Sequence, residues 1–166
     1  MKTFFLTLFF LVISLFGLSQ KDLDLVAKYY DSIYLSEVYN RNWKPKNDKG
    51  LLPVANLQLE YLKTKKNMFL SHKHGDKKYY NLHDRFENTV NKNKKYSKCY
   101  LEYSEVLCRV SQFDSMNEKD IAKYIFNLFM GSPSHKEAIT SSKFNYVFVF
   151  GYSVDNEIIC VGVVAN

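Results

Sequence analysis

The chain contains little of what marks disordered, fibrous or disulfide-rich proteins. Six glycines and three prolines among 166 residues are too few for a flexible or low-complexity chain. Three cysteines are too few for a disulfide scaffold, and because no C-x2-C spacing occurs, a zinc knuckle is excluded as well. These absences leave an ordinary folded domain as the class to which the bulk of the chain belongs.

The cysteines are Cys99, Cys108 and Cys160. An odd number means that at least one thiol stays unpaired or pairs outside the chain. The sequence alone leaves open which of the three form a disulfide, if any do.

Long hydrophobic runs are also missing, except at the beginning of the chain. Lys2 precedes an apolar run from Phe4 to Phe16, and Gly17 and Ser19 place small residues before Gln20. This three-part pattern predicts a cleaved signal peptide over residues 1–19 and a secreted or periplasmic protein. A membrane anchor is the alternative, but the run is shorter than the ~20 apolar residues of a span. No other segment predicts a transmembrane anchor, so we expect none after cleavage.

Aromatic residues and lysines are abundant in the remaining chain. The whole chain has thirteen tyrosines and thirteen phenylalanines, and all but five of the phenylalanines lie after residue 19. These aromatic residues can bury a large apolar area, which predicts one domain with one core over residues 20–166. The net charge of +6 comes largely from two lysine clusters, at 63–78 and 92–98. They suit an anionic partner or, as the simpler interpretation, a solvated face. No nucleic-acid-binding module accompanies them, so no nucleic acid is expected as partner.

Hydrophobic periodicity predicts four helices. The first spans Asp22 to about Tyr39, and the second begins at a capping Asn56 and ends near Ser71-His72. A short third helix contains Leu82, Phe86 and Val90. A fourth contains Ile121 to Phe129, after a capping box that begins at Ser115, and Gly131 ends it.

Strands are predicted where β-branched and aromatic residues cluster or alternate. Glu105–Val110 alternates between two faces, and residues 146–152 and 157–164 flank Asp155-Asn156 as a hairpin. Helices first, then strands with a helix between them, favour an α+β fold in layers.

Three ionisable residues lie at the ends of predicted elements, where functional groups are often placed. They are His72, Glu105 and His135. Ser132 can cap a short helix and Pro133 suits its first position, so His135 falls in the first turn. The positive end of the helix dipole then favours the neutral imidazole that a metal ligand or general base needs.

The order of these segments resembles the CAP superfamily, or SCP-like proteins (cysteine-rich secretory proteins, antigen 5 and pathogenesis-related 1), in particular its small extracytoplasmic bacterial branch. The resemblance covers about residues 51–166. The matching segments are Leu52-Pro53, Asn67 to His72, Asp84-Arg85-Phe86, Ser104-Glu105-Val106, Phe129 to Lys136, Phe144 and the closing hairpin.

The resemblance implies a three-layer α-β-α sandwich with a cleft over the sheet. In the family's cleft two histidines and one or two glutamates bind a divalent metal in some members, such as Zn or Mg. Carried over, His72, Glu105 and His135 take those places, and Ser132 falls near the second glutamate. Val106 stands where the family has Asn and Lys136 where it has Arg, which weakens the metal site more than the fold.

The resemblance implies an exported binding module whose cleft takes a lipid, a peptide or an envelope component. A metal-dependent hydrolase is the alternative, with His72 and His135 as ligands and Glu105 as general base. A serine hydrolase using Ser71 or Ser134, and an interaction protein with a vestigial cleft, are further possibilities. Catalytic residues stay unknown, and enzymatic activity is less expected than binding.

Overall fold

A computed structural model describes residues 20–38, 44–66, 69–91, 100–141 and 143–166. These residues form five α-helices and one three-stranded antiparallel sheet, which confirms the α+β class. The predicted signal peptide, Cys99 and the lysine cluster at 92–98 lie outside the described residues.

The sheet consists of β1 (Tyr103–Val110), β2 (Asn145–Tyr152) and β3 (Ile158–Ala165), in the order β1-β3-β2. Both outer strands run antiparallel to β3, and every residue of β3 is buried. Its composition explains that place, because a strand covered on both faces consists almost entirely of apolar residues. The predicted strands and the C-terminal hairpin are confirmed to within two residues at each end.

Five helices surround the sheet. They are α1 (Leu23–Val38), α2 (Leu52–Lys63), α3 (Leu82–Phe86), α4 (Glu118–Met130) and α5 (Pro133–Thr140). Single 3-10 turns occupy Lys49–Leu51 and Lys77–Tyr79, and a π-helical segment, Glu87–Asn91, continues α3.

Alternate residues of the strands enter two separate hydrophobic clusters. Side chains on the α1 face of the sheet, among them Val106, Cys108 and Cys160, pack with α1, α4 and α5. Side chains on the α2 face, among them Leu107 and Val161, pack with α2 and α3. Because strand residues alternate between the faces, helices cover the sheet on both sides.

The predicted bounds of the second helix are wrong at both ends. The helix begins at Leu52, with Pro53 in its first turn, where the missing proline N–H costs nothing. It ends at Lys63 rather than near His72. The buried guanidinium of Arg109 donates to the carbonyl of Leu62 at 3.2 Å, and so satisfies an acceptor that continued helix would have used.

The other helix ends also differ in part from expectation. The capping box at Ser115 does not form, because Asn117 is the N-cap of α4 and accepts from the Asp120 amide at 2.9 Å. Gly131 follows α4 as predicted, but with φ of −74° it does not use the left-handed region. In the hairpin turn, Asn156 adopts the left-handed conformation, with φ of 59°.

No helix among the described residues is long and apolar enough to span a bilayer.

Gly162 lies in the middle of β3, opposite Val106 and Phe148. A Cβ at this position would overlap the Phe148 ring and stand 2.6 Å from a methyl of Val106. We expect Gly162→Ala to lower the free energy of unfolding by about 1–3 kcal/mol through overpacking. Urea denaturation measures the change. Gly131→Ala is the control and should be nearly neutral, so equal stability of the two variants would contradict the packing argument.

Candidate functional site

His72 is anchored to the sheet through one ring nitrogen. Its Nδ1 lies 3.0 Å from Oε1 of Glu105, and because a carboxylate only accepts, the imidazole donates. The His72 side chain is 56% exposed, whereas that of Glu105 is 1% exposed. The contact fixes the ring orientation and leaves Nε2 to face outwards as an acceptor or ligand when the ring is neutral.

Arg85 is buried beneath this pair and holds both of its members. Its Nη2 donates to Oε2 of Glu105 at 2.6 Å, and its Nη1 donates to the carbonyl of His72 at 3.1 Å and of Tyr79 at 3.4 Å. The side chains of Arg85 and Glu105 are 0% and 1% exposed. The guanidinium therefore neutralises the buried carboxylate and ties the segment that carries His72 to α3.

Local structure explains how these residues meet. Glu105 is opposite Val163 in the sheet and points to the α2 face, on which α3 packs. The capping box of Asn81 and Asp84 begins α3 just before Arg85. Gln58 of α2 donates to the carbonyl of the residue before His72. Strand, short helix and loop are thus joined by polar contacts at one place.

Sequence reasoning assigned no role to Arg85. Its position among Leu82, Phe86 and Val90, whose spacing predicts the apolar face of a helix, is the sequence signal that could have identified it. A guanidinium at the edge of an apolar helical stripe, in a chain with an acidic residue on a predicted strand, indicates a buried ion pair.

His135 lies in the first turn of α5, as predicted, and its ring meets the Phe129 ring edge-on at 5.5 Å. Partial burial lowers the pKa of His135, and the charge of a protonated His72 lowers it further. His135 belongs to α5, which packs on the α1 face of the sheet, whereas the Glu105 that holds His72 points to the α2 face.

Ser132 is the N-cap residue of α5, but its side chain makes no capping hydrogen bond. Its hydroxyl instead lies 3.4 Å from that of Ser134. In the described part of the chain, neither hydroxyl is hydrogen bonded to a histidine. The hydroxyl of Ser71, the other candidate, accepts from the Lys73 amide at 3.0 Å. None of these contacts would activate a serine as nucleophile.

The expected metal ligands do not fit a three-donor site. Both oxygens of Glu105 are engaged, by His72 and by Arg85, and the carboxylate is closed to solvent. The described residues contain no group of three His, Cys, Asp or Glu placed to hold a cation. The imidazole of His72 is exposed and that of His135 is partly buried. The metal site predicted from the sequence stays a prediction, and this geometry gives Glu105 an orienting role in it.

Apolar and basic side chains are exposed around His72. Phe69 and Leu70 are each 40% exposed and directly precede Ser71-His72, and Tyr80 is 42% exposed. Lysine ammonium groups lie over tyrosine rings, Lys73 over Tyr80 and Lys78 over Tyr79, each at 5.1 Å. We call this surface, with the exposed Lys66 and Lys77, the basic–aromatic rim.

The two other histidines have partners of their own. His74 accepts from the Asp76 amide at 3.0 Å and lies against the Tyr61 ring, and burial lowers its pKa. His83 Nδ1 lies 2.6 Å from the hydroxyl of Tyr103. Each of these two imidazoles thus has a partner in its own neighbourhood.

The buried ion pair should respond to a double-mutant cycle. Arg85→Met leaves an uncompensated buried carboxylate, and we expect it to cost about 3–5 kcal/mol of unfolding free energy. Arg85→Met with Glu105→Leu removes both charges and should cost less than Arg85→Met alone.

Urea denaturation measures each step of this cycle. The exposed pair of Glu60 and Lys63, with N–O 2.9 Å, is the control, and Lys63→Met should change stability by less than about 1 kcal/mol. An Arg85→Met variant as stable as the parent would contradict the role given to this pair.

The proximity of the two histidines can be tested by titration. In His72→Gln the pKa of His135 should rise, because one of its two depressing causes is removed, yet it should stay below its ordinary value because the ring remains partly buried. NMR titration of the imidazole signals, with chelator present, measures the shift. His83→Gln is the control and should leave the pKa of His135 unchanged. An unchanged pKa of His135 in His72→Gln would show that the two rings do not interact.

Comparison with known proteins informs on the fold. No family model matches the chain, and no curated protein matches it. Among solved structures, an outer surface protein from Borrelia burgdorferi is similar, with a TM-score of 0.64 and 19% sequence identity. The match covers 87% of this chain and 95% of that chain. At this identity the likeness shows a common fold and carries no function with it.

Proposed function

We propose that the protein is an exported, CAP-like binding module, and that its cleft at the rim of the sheet takes an amphipathic ligand with an anionic head. A phospholipid is the simplest ligand of this kind. His72 and His135 would face the head group, and the basic–aromatic rim would contact the rest of the ligand.

The exposed pair of Phe69 and Leu70, which leads directly into the fixed ring of His72, carries this proposal. Two large apolar side chains at 40% exposure, next to His72 in the chain, favour an apolar ligand or surface as partner. The lysines around them favour a partner that also carries a negative charge. A ligand that satisfies both has an apolar and an anionic part.

The CAP-like arrangement itself belongs to the proposal. Helices on both faces of the sheet, with Glu105 on a strand and His135 in the short helix that the resemblance assigns to them, support a three-layer sandwich of that type. His72 instead lies in the loop after α2. Export rests on the N-terminal sequence pattern. The name of the similar Borrelia protein, an outer surface protein, agrees with a location outside the cell.

Binding is better supported than hydrolysis. A general base must reach a water molecule, and the Glu105 carboxylate is closed to solvent with both oxygens occupied. This geometry gives the alternative, a metal-dependent hydrolase with Glu105 as base, less support than binding.

Sedimentation with vesicles tests the proposal. The protein should bind vesicles of phosphatidylglycerol and phosphatidylcholine, and bind pure phosphatidylcholine much more weakly. Each lysine near an anionic surface contributes about 1 kcal/mol, so Lys73→Gln with Lys77→Gln should weaken binding roughly 30-fold. Phe69→Ser with Leu70→Ser should weaken binding to both kinds of vesicle.

Matched controls lie on α4. Lys119→Gln with Lys123→Gln removes the same charge, and Tyr124→Ser with Leu128→Ser removes apolar side chains of similar exposure, 44% and 38%. Neither pair belongs to the basic–aromatic rim, so both should bind as the parent does. Equal losses from the α4 and rim variants would show non-specific attraction and overturn the proposal.

A further inference from the structure

Cys108 of β1 and Cys160 of β3 are directly opposite each other in the antiparallel sheet. Both are buried free thiols on the α1 face, 6% and 0% exposed. Burial raises the pKa of the Cys160 thiol, and the neighbouring Cys108 raises it further. Two nucleophilic groups thus lie opposite each other in the apolar core, and neither belongs to the proposed binding site.

The backbone already has the geometry of a cross-strand disulfide. Directly opposed residues of an antiparallel pair have Cα atoms about 4.5 or 5.5 Å apart, depending on the hydrogen-bonding class of the pair. Disulfides span Cα distances of about 4.4–6.8 Å. Opposed side chains also leave the sheet on the same face, so side-chain rotation suffices to bring the sulfurs together.

We propose that Cys108 and Cys160 are a modification site and form a disulfide between β1 and β3 when the chain folds under oxidising conditions. The oxidant is a disulfide compound, such as oxidised glutathione or the disulfide of a thiol oxidoreductase. Two S–H bonds of the protein break and one S–S bond forms. The S–S bond of the oxidant breaks, and its two sulfurs take up the two protons and two electrons.

The location of the two cysteines gives this bond a structural consequence. The chain between them includes α4, α5 and β2, so the bond closes a long loop and restricts the unfolded chain. It also joins the outer strand that carries Glu105 to the buried central strand. Because Cys108 and Cys160 pair with each other, Cys99 is left as the odd thiol.

Peptide mapping tests the proposal. The full-length protein is unfolded, reduced, and refolded with a mixture of reduced and oxidised glutathione. Free thiols are then blocked with N-ethylmaleimide, and the protein is digested without reduction. Mass spectrometry should find Cys108 linked to Cys160, with Cys99 blocked. Blocking of all three cysteines, or a link that includes Cys99, would overturn the proposal.

Thermal unfolding gives a second measurement that does not depend on digestion. A reductant should lower the Tm of the oxidised protein by roughly 10 °C. Cys99→Ser should respond to reductant as the parent does, whereas Cys108→Ala with Cys160→Ala should not respond. An equal response of that double variant would contradict the assignment. These outcomes are independent of vesicle binding, so the disulfide and the proposed ligand fail or stand separately.

Discussion

The candidate site depends on one buried ion pair, between Arg85 and Glu105. A carboxylate on a strand that faces an apolar cluster would be costly alone, and the guanidinium compensates its charge at 2.6 Å. The same guanidinium donates to the carbonyl of His72. One cation thereby joins β1, α3 and the loop after α2, and the position of the exposed imidazole follows from a contact beneath the surface.

A second buried arginine performs a similar task at the other end of β1. Arg109 donates at 2.6 Å to Glu157, the residue before β3. It also donates to the carbonyl of Leu62 in the last turn of α2 and to that of Lys65 after the helix. Burying a charged guanidinium costs free energy. At both positions this cost is offset by an ion pair and by several hydrogen bonds that join separate chain segments. The α2 face is fixed at two points, while the loop between them carries the basic–aromatic rim.

Burial separates the ionisable residues of the candidate site. The Glu105 side chain is closed to solvent and paired with Arg85. The His72 side chain is half-exposed, and partial burial lowers the pKa of His135. In the function proposed above, these imidazoles and the exposed apolar and basic side chains contact the ligand, and Glu105 orients His72.

The sequence alone determined the α+β class, the three strands, the helix over α4 and the first-turn position of His135, because these depend on local periodicity and on short-range capping. It failed at the end of α2, at the cap of α4 and at Arg85. Tertiary structure decided those points: a guanidinium from a distant strand ends a helix, and the environment of Glu105 depends on α3, distant along the chain. The pairing of Cys108 with Cys160 was open for the same reason, since strand register is fixed only when the sheet assembles.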